Sequence, residues 1–205
     1  AKFIKIIFFS ALLAASNTNV NANTTDFNKW LNDFKIRAKN YGITESTIKI
    51  TLDKSKYIPK VIEYDRYQPE FYEDTLTYVK KRTSILKIKK GKLLYIKNKK
   101  LINDVEKKFS VEKELLLALM GIETNFGTYL GKMDIISSLA TLSFDKRRSE
   151  FFSKELLTLL KLIDLNTIDH KTLFGSWAGA FGNFQFMPST IKQYAIDYNK
   201  DNLID

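Results

Sequence analysis

Helical spacing runs through most of this chain, and few residues interrupt it. Between Asp26 and Asn40, "DFNKWLNDFKIRAKN" sets Phe27, Trp30, Leu31, Phe34 and Ala38 three and four residues apart. That spacing lays one apolar stripe along a helix, and Gly42 marks its end. "ITESTIKITL" predicts a second, short helix capped by Thr44, whose hydroxyl can accept from an early backbone N–H. Further helices are expected over about 72–90, 92–108 and 149–163, with a last one capped by Ser189 and reaching Ala195. Only 8 glycines and 3 prolines punctuate 205 residues, and strand signals are scarce. "YIPKVIEYDRYQPEF" holds two of those prolines, Pro59 and Pro69, and is expected to be irregular. The fold class is therefore mainly α.

One segment raises a chemical question. In "LLLALMGIETNFG", residues 115–122 carry no charge on any face. Ser110 offers an N-cap and Glu112 lies in the first turn, where the helix dipole favours an acid. A helix apolar on nearly all sides is expected at the centre of a fold. It ends in Glu123, with Gly127 and Gly131 beyond. A dry niche disfavours the charged form of a carboxyl and keeps its proton available to a general acid. Glycosidic cleavage needs such a proton on the leaving oxygen. A glutamate at a helix end is also commonly structural or exposed, so these residues alone leave both readings open.

Composition removes the competing chemistries. Without cysteine there are no disulfides, thiolate nucleophiles or cysteine zinc sites. His170 is the single histidine, and no GxSxG accompanies it, which sets aside histidine-pair metal sites and serine triads. Carboxylate chemistry remains. The start, "AKFIKIIFFSALLAASNTNVNANTTDF", has a charged beginning, a short apolar middle and small residues before a cut after Ala22. It reads as a secretory signal over residues 1–22, too short in its apolar part to span a bilayer comfortably. No later segment is apolar enough to span one, and the mature chain is expected in the periplasm or cell envelope. The net charge is +10, much of it in Tyr78–Lys100, and no acid occurs between Asp74 and Asp104. A solvated face explains such a run, and an anionic envelope polymer is the better functional partner. Nucleic acid is not expected for an exported protein.

"GIETNFG", "SLATLSFDKRRSEFF" and "GSWAGAFGNFQFMPS" occur in one order and at close spacing, with "DRYQPEF" upstream. Together they resemble the membrane-bound-type B lytic murein transglycosylases, over approximately Asp26–Asp205. The resemblance implies a lysozyme-like core, placed here at residues 101–205, with an N-terminal helical extension at 23–100. It implies that Glu123 protonates the oxygen between N-acetylmuramic acid (MurNAc) and N-acetylglucosamine (GlcNAc) in peptidoglycan glycan strands. The muramyl C6 hydroxyl then closes on C1, giving 1,6-anhydro-MurNAc, and no cofactor is required. No second acid is obvious beside Glu123; Asp134 and Asp145 are the nearest that follow it in sequence. Ser176 and Gln185 match polar residues near the family's glutamate, and Thr124, Asn125 and Phe126 beside Glu123 are placed to line the cleft. Arg147 and Arg148 match an arginine pair that suits stem-peptide carboxylates; pairing with Glu150 or Glu155 is the equal alternative. Trp177, Phe181, Phe184 and Phe186 suit either sugar stacking or a core.

The chain closes on "DYNKDNLID", where family members carry a calcium-type loop. Asp197, Asn199 and Asp201 fall at positions 1, 3 and 5, the Leu203 carbonyl at 7 and Asp205 at 9. Position 6 is Asn202 where the pattern has glycine, and position 12 lies beyond residue 205, so calcium affinity is expected to be weak or nil. The chain reads as C-terminally truncated. Three outcomes follow: an active transglycosylase, a truncated and inactive peptidoglycan-binding homologue, or a lysozyme-type hydrolase that uses water.

Overall fold

The computed structural model describes residues 23–67 and 74–204; the signal expected at 1–22 and part of "DRYQPEF" lie outside them. Helix α1 (23–40) closes at Gly42, as its spacing predicts. Helix α2 (Glu45–Ile50) is capped by Thr44, whose Oγ1 accepts from Thr47 N at 3.3 Å. The proline-rich stretch differs from expectation. Pro59 starts helix α3 (Pro59–Arg66), since a proline at the first helical position gives up no needed N–H. The expected helix over 72–90 is two. Helix α4 (Thr75–Arg82) ends at Thr83, and Ser84 caps α5 (Ile85–Lys97) by accepting from Lys87 N at 3.3 Å. Helix α6 spans Lys99–Phe109, and Ser110 closes it in a left-handed conformation instead of opening the next helix. Helix α7 (Lys113–Thr124) takes Glu112 as its N-cap.

A two-residue strand β1 (Met133–Asp134) leads into α8 (Ile135–Phe144), and α9 (Ser149–Asp164) follows. Strand β1 pairs antiparallel with β2 (Phe174–Gly175), with Met133 opposite Gly175. Helix α10 (Pro188–Tyr194) begins at its proline, while Ser189 turns to Glu155, donating from N at 2.9 Å and Oγ at 2.6 Å.

The centre of the fold is α8, not α7. Residues 135–143 of α8 are all buried, whereas α7 buries only Gly121 and Thr124. Helix α8 has no polar face to give a periodicity, so its sequence does not announce it. Its serines and threonines have work inside. Ser137 Oγ accepts from Lys56 N at 3.0 Å, and Thr141 Oγ1 from Ile58 N at 3.0 Å. These bonds satisfy backbone N–H groups of the segment entering α3, which α8 partly covers. One cluster joins Phe27, Leu31 and Phe34 of α1 to Leu139 and Leu142 of α8 and Leu156, Leu159 and Leu160 of α9. The core thus draws on both sides of residue 100. Helices α5, α6 and α7 pack on one another as a second layer. No helix among the described residues is long and apolar enough to cross a membrane.

Candidate active site

Glu123 sits in the last turn of α7, and it is exposed. The dry niche expected for it is absent. Gly121 and Thr124 take the inward positions of this turn, and Ile122 and Glu123 between them face outward. Thr124, at 0% exposure, fixes the turn. Its Oγ1 lies 2.8 Å from Asn183 O and 3.2 Å from Met120 O, and accepts from Gly127 N at 3.0 Å. Asn125, Phe126 and Gly127 then all adopt positive φ (50°, 61° and 75°). This tight reversal brings the end of α7 against the "GSWAGAFGNFQFMPS" loop. Thr124 is the residue that sequence reasoning undervalued. Its threonine one step after the glutamate was visible, but its long-range partner was not.

Two of the expected cleft residues are used differently. The Phe126 ring lies between α5 and α7, so close that a Cβ on Gly121 would stand 2.7 Å from its Cζ and one on Gly91 3.0 Å. It fills the end of a 420 Å³ cavity that Ile88, Tyr95, Leu117 and Ile122 also line. Glu123 does not line that cavity. Asn125 contributes its carbonyl, which accepts from Lys90 Nζ at 2.8 Å and Thr128 Oγ1 at 2.7 Å.

The loop is shaped by Ser176 and Gln185. Ser176 Oγ accepts from Ala180 N at 3.0 Å, which leaves its hydroxyl hydrogen to donate. Gln185, at φ 51°, donates from Nε2 to Leu130 O at 3.1 Å and Gly182 O at 2.9 Å, leaving its amide oxygen as an acceptor. Gly179 lets the loop lie on α8: a Cβ there would meet Leu139 Cδ2 at 2.4 Å, and its φ is +95°. Trp177 and Phe181 pack against the core, while Phe184 and Phe186 stack at 6.0 Å with Phe186 exposed. Tyr129, unremarked in the sequence, is a further exposed aromatic, held by its N–H donating to Thr124 O at 2.9 Å.

The arginine pair has a partner that neither sequence reading named. Arg147 Nε donates to Asp65 Oδ2 at 2.6 Å and its Nη2 to Asp65 O at 2.8 Å; Arg148 Nη2 donates to Asp65 Oδ1. Asp65 is 2% exposed. Burial pushes its carboxyl up, and the two guanidinium groups more than offset this, so it lies below the ordinary carboxylate range. Glu150 and Glu155 are engaged elsewhere, with Arg37 and Lys154 and with Ser189. The pair therefore clamps α3 to the α8–α9 corner. The next two acids after Glu123 in the chain also have structural partners. Asp134 caps α8 by accepting from Ser137 N at 2.8 Å, and Asp145 pairs with Arg66 at 2.8 Å.

In the terminal loop, Asp197 accepts from Lys200 N at 2.6 Å and Asn202 N at 2.7 Å, and Asp201 from Leu203 N at 2.9 Å. Asn199 Nδ2 donates to Asp201 Oδ2 at 2.9 Å, and its Oδ1 accepts from Asp201 N at 3.2 Å. Among the described residues no cluster of three acids, histidines or cysteines is present. Calcium needs six to eight oxygens, and Asp197, Asn199, Asp201 and the Leu203 carbonyl do not fit it by themselves.

A helix-end glutamate, a loop bolted beside it by Thr124, and a clamp of one buried acid on two arginines form a specific arrangement. The family profile described as "Transglycosylase SLT domain" matches residues 26–205. The chain belongs to this family. It is 38% identical over 131 residues to membrane-bound lytic murein transglycosylase B of Escherichia coli (strain K12), covering 63% of this chain and 36% of the relative. SltB3 of Pseudomonas aeruginosa, solved in complex with NAG-NAM-pentapeptide, superposes with a TM-score of 0.83 at 32% identity, covering 86% of this chain and 47% of SltB3. Slt35 of Escherichia coli, a lytic transglycosylase solved in complex with calcium, gives 0.72 at 32% identity, over 89% of this chain and 58% of Slt35. The family's lysozyme-like helical fold is thus this chain's fold. The chain spans about a third of the curated relative's length and about half that of the structures.

Proposed function

We propose that this protein is a peptidoglycan lytic transglycosylase of the cell envelope, with residues 101–205 carrying the site. Glu123 is its general acid and then its general base. The single observation that supports this is the junction at Thr124, which holds the helix end bearing Glu123 against the Ser176–Gln185 loop. As acid, Glu123 protonates the oxygen linking MurNAc to GlcNAc, and the C1–O bond breaks. As base, it takes the proton of the muramyl C6 hydroxyl as that oxygen bonds to C1. The product is 1,6-anhydro-MurNAc, and no water is consumed. The next two acids after Glu123 in the chain, Asp134 and Asp145, are engaged structurally, which suits this route, since a two-carboxylate hydrolase needs a second group to attack as a nucleophile or to activate water.

An exposed Glu123 needs cover to act as an acid. A glycan strand laid over the α7 end supplies that cover by displacing water. The exposed rings of Phe186 and Tyr129 offer apolar faces to sugars, and Ser176 O–H and the Gln185 amide oxygen offer a donor and an acceptor to acetamido groups. The calcium-type loop takes no part in these steps.

A Glu123→Gln variant tested on purified sacculi should still bind them and should release no muropeptides. Turnover equal to the parent would reject Glu123 as the acid. The open setting of Glu123 favours a second reading, a peptidoglycan-binding homologue without activity. For that protein the parent chain itself would sediment with sacculi and release nothing.

A further inference from the structure

Helix α5 carries a face that no other element among the described residues covers. Ile85, Leu86, Leu93 and Ile96 are 71%, 78%, 67% and 68% exposed. At 3.6 residues per turn they fall on one side of the helix, together with Lys89, Lys92 and Lys97, within an arc of about 140°. All three lysines are exposed, and no ion pair among the described residues engages them. The opposite side of α5, at Gly91, is the side packed on Phe126 and α7. This outward face is therefore set by packing.

Charge says what it meets. Tyr78–Lys100 holds ten lysines and arginines and no acid; the remaining chain has 23 basic and 23 acidic residues. The whole excess of +10 lies in this one stretch. A polyanionic polymer would answer the lysines and leave four large aliphatic side chains wet. A second copy would bring the same positive charge to the contact. An anionic bilayer surface answers both, because aliphatic side chains enter the acyl boundary while lysine stems reach up to phosphate headgroups. We propose that the outer face of α5 seats this protein on the surface of an anionic phospholipid membrane, lying in the interface without crossing it. This assignment is independent of the glycosidic chemistry at Glu123.

The chain has no cysteine, so one introduced thiol reports from a single place. An environment-sensitive fluorophore is attached at Leu93→Cys in the full chain, and at Lys154→Cys on α9 as the control, a residue 71% exposed at its side chain. Vesicles containing phosphatidylglycerol should shift the emission at position 93 to the blue and leave position 154 unchanged. Pure phosphatidylcholine vesicles should give a much smaller shift. Adding Leu86→Gln and Ile96→Gln, which keep charge and helix propensity, should abolish the shift while circular dichroism stays constant. Sedimentation with vesicles and no shift at position 93 would place the contact elsewhere in the chain and overturn the proposal. So would a shift unaffected by the glutamine substitutions, an equal shift at position 93 produced by a soluble polyanion without vesicles, or a shift that follows protein self-association without lipid.

Discussion

Helices α7 and α8 invert what their compositions suggest. Helix α7 is a run of leucine, methionine and isoleucine without a charge between residues 115 and 122, yet Leu115, Leu119 and Ile122 are exposed. Helix α8 reads "IISSLATLSF", with five small or hydroxylated residues, and it is buried from Ile135 to Ser143. The loop comes close to this helix, with Gly179 lying over the Leu139 side chain. The hydroxyls of Ser137 and Thr141 meet backbone N–H groups that aliphatic residues would strand. Hydrophobicity gives a helix something to bury; fit and hydrogen bonding decide which helix reaches the centre.

Substitutions can break this contrast. The largest effect is expected in α8, where Leu139→Ala should cost about 3–5 kcal/mol in chemical denaturation, since the cavity has no room to collapse. An equal result for Leu119→Ala in α7 would contradict the assignment of the core. Asp65→Asn comes next. It leaves two guanidinium groups on a neutral acceptor and should cost about 3 kcal/mol. Because its carboxyl is held below the ordinary range when folded, the clamp's contribution is present above the unfolded carboxylate range and is lost on acidification.

Thr124→Val should cost about 1–2 kcal/mol by stranding the Asn183 carbonyl and Gly127 N–H. It should lower activity on sacculi more than Leu119→Ala does, because it releases the loop from the end of α7. A smaller effect tracks pH. The Thr44 hydroxyl donates to Asp164 at 2.5 Å and, with lesser help from Thr47 and Lys161, lowers its carboxyl from 3.8 to about 2. The stability it gives is full above about pH 4 and lost as pH falls through about 2. Thr44→Ala should cost about 1 kcal/mol at neutral pH and shift acid unfolding to higher pH. Leu119→Gln, on the exposed face of α7, should change stability by no more than about 0.5 kcal/mol.

Local signals were legible where local physics sufficed. The α1 stripe, the Thr44 cap and the start of α9 all follow from spacing and short-range hydrogen bonds. The start of α3 at Pro59 was hidden because the same residue that breaks a helix interior also opens one. The break at Ser84 is a local cap that the helical spacing around it masks, whereas the need for Gly91 inside α5 comes from the Phe126 ring 35 residues away. The candidate site divides the same way. Glu123, Ser176 and Gln185 stood out as motif residues. That Arg147 and Arg148 serve Asp65, and that Thr124 reaches Asn183, depends on chain topology that no window of sequence contains.

The most direct test of the account is the mass of the muramyl end released from sacculi by the parent chain. A lytic transglycosylase acting through Glu123 leaves a 1,6-anhydro end, lighter by one water than a reducing end, and Glu123→Gln removes it. A reducing muramic end, or anhydro product that survives Glu123→Gln, would contradict it.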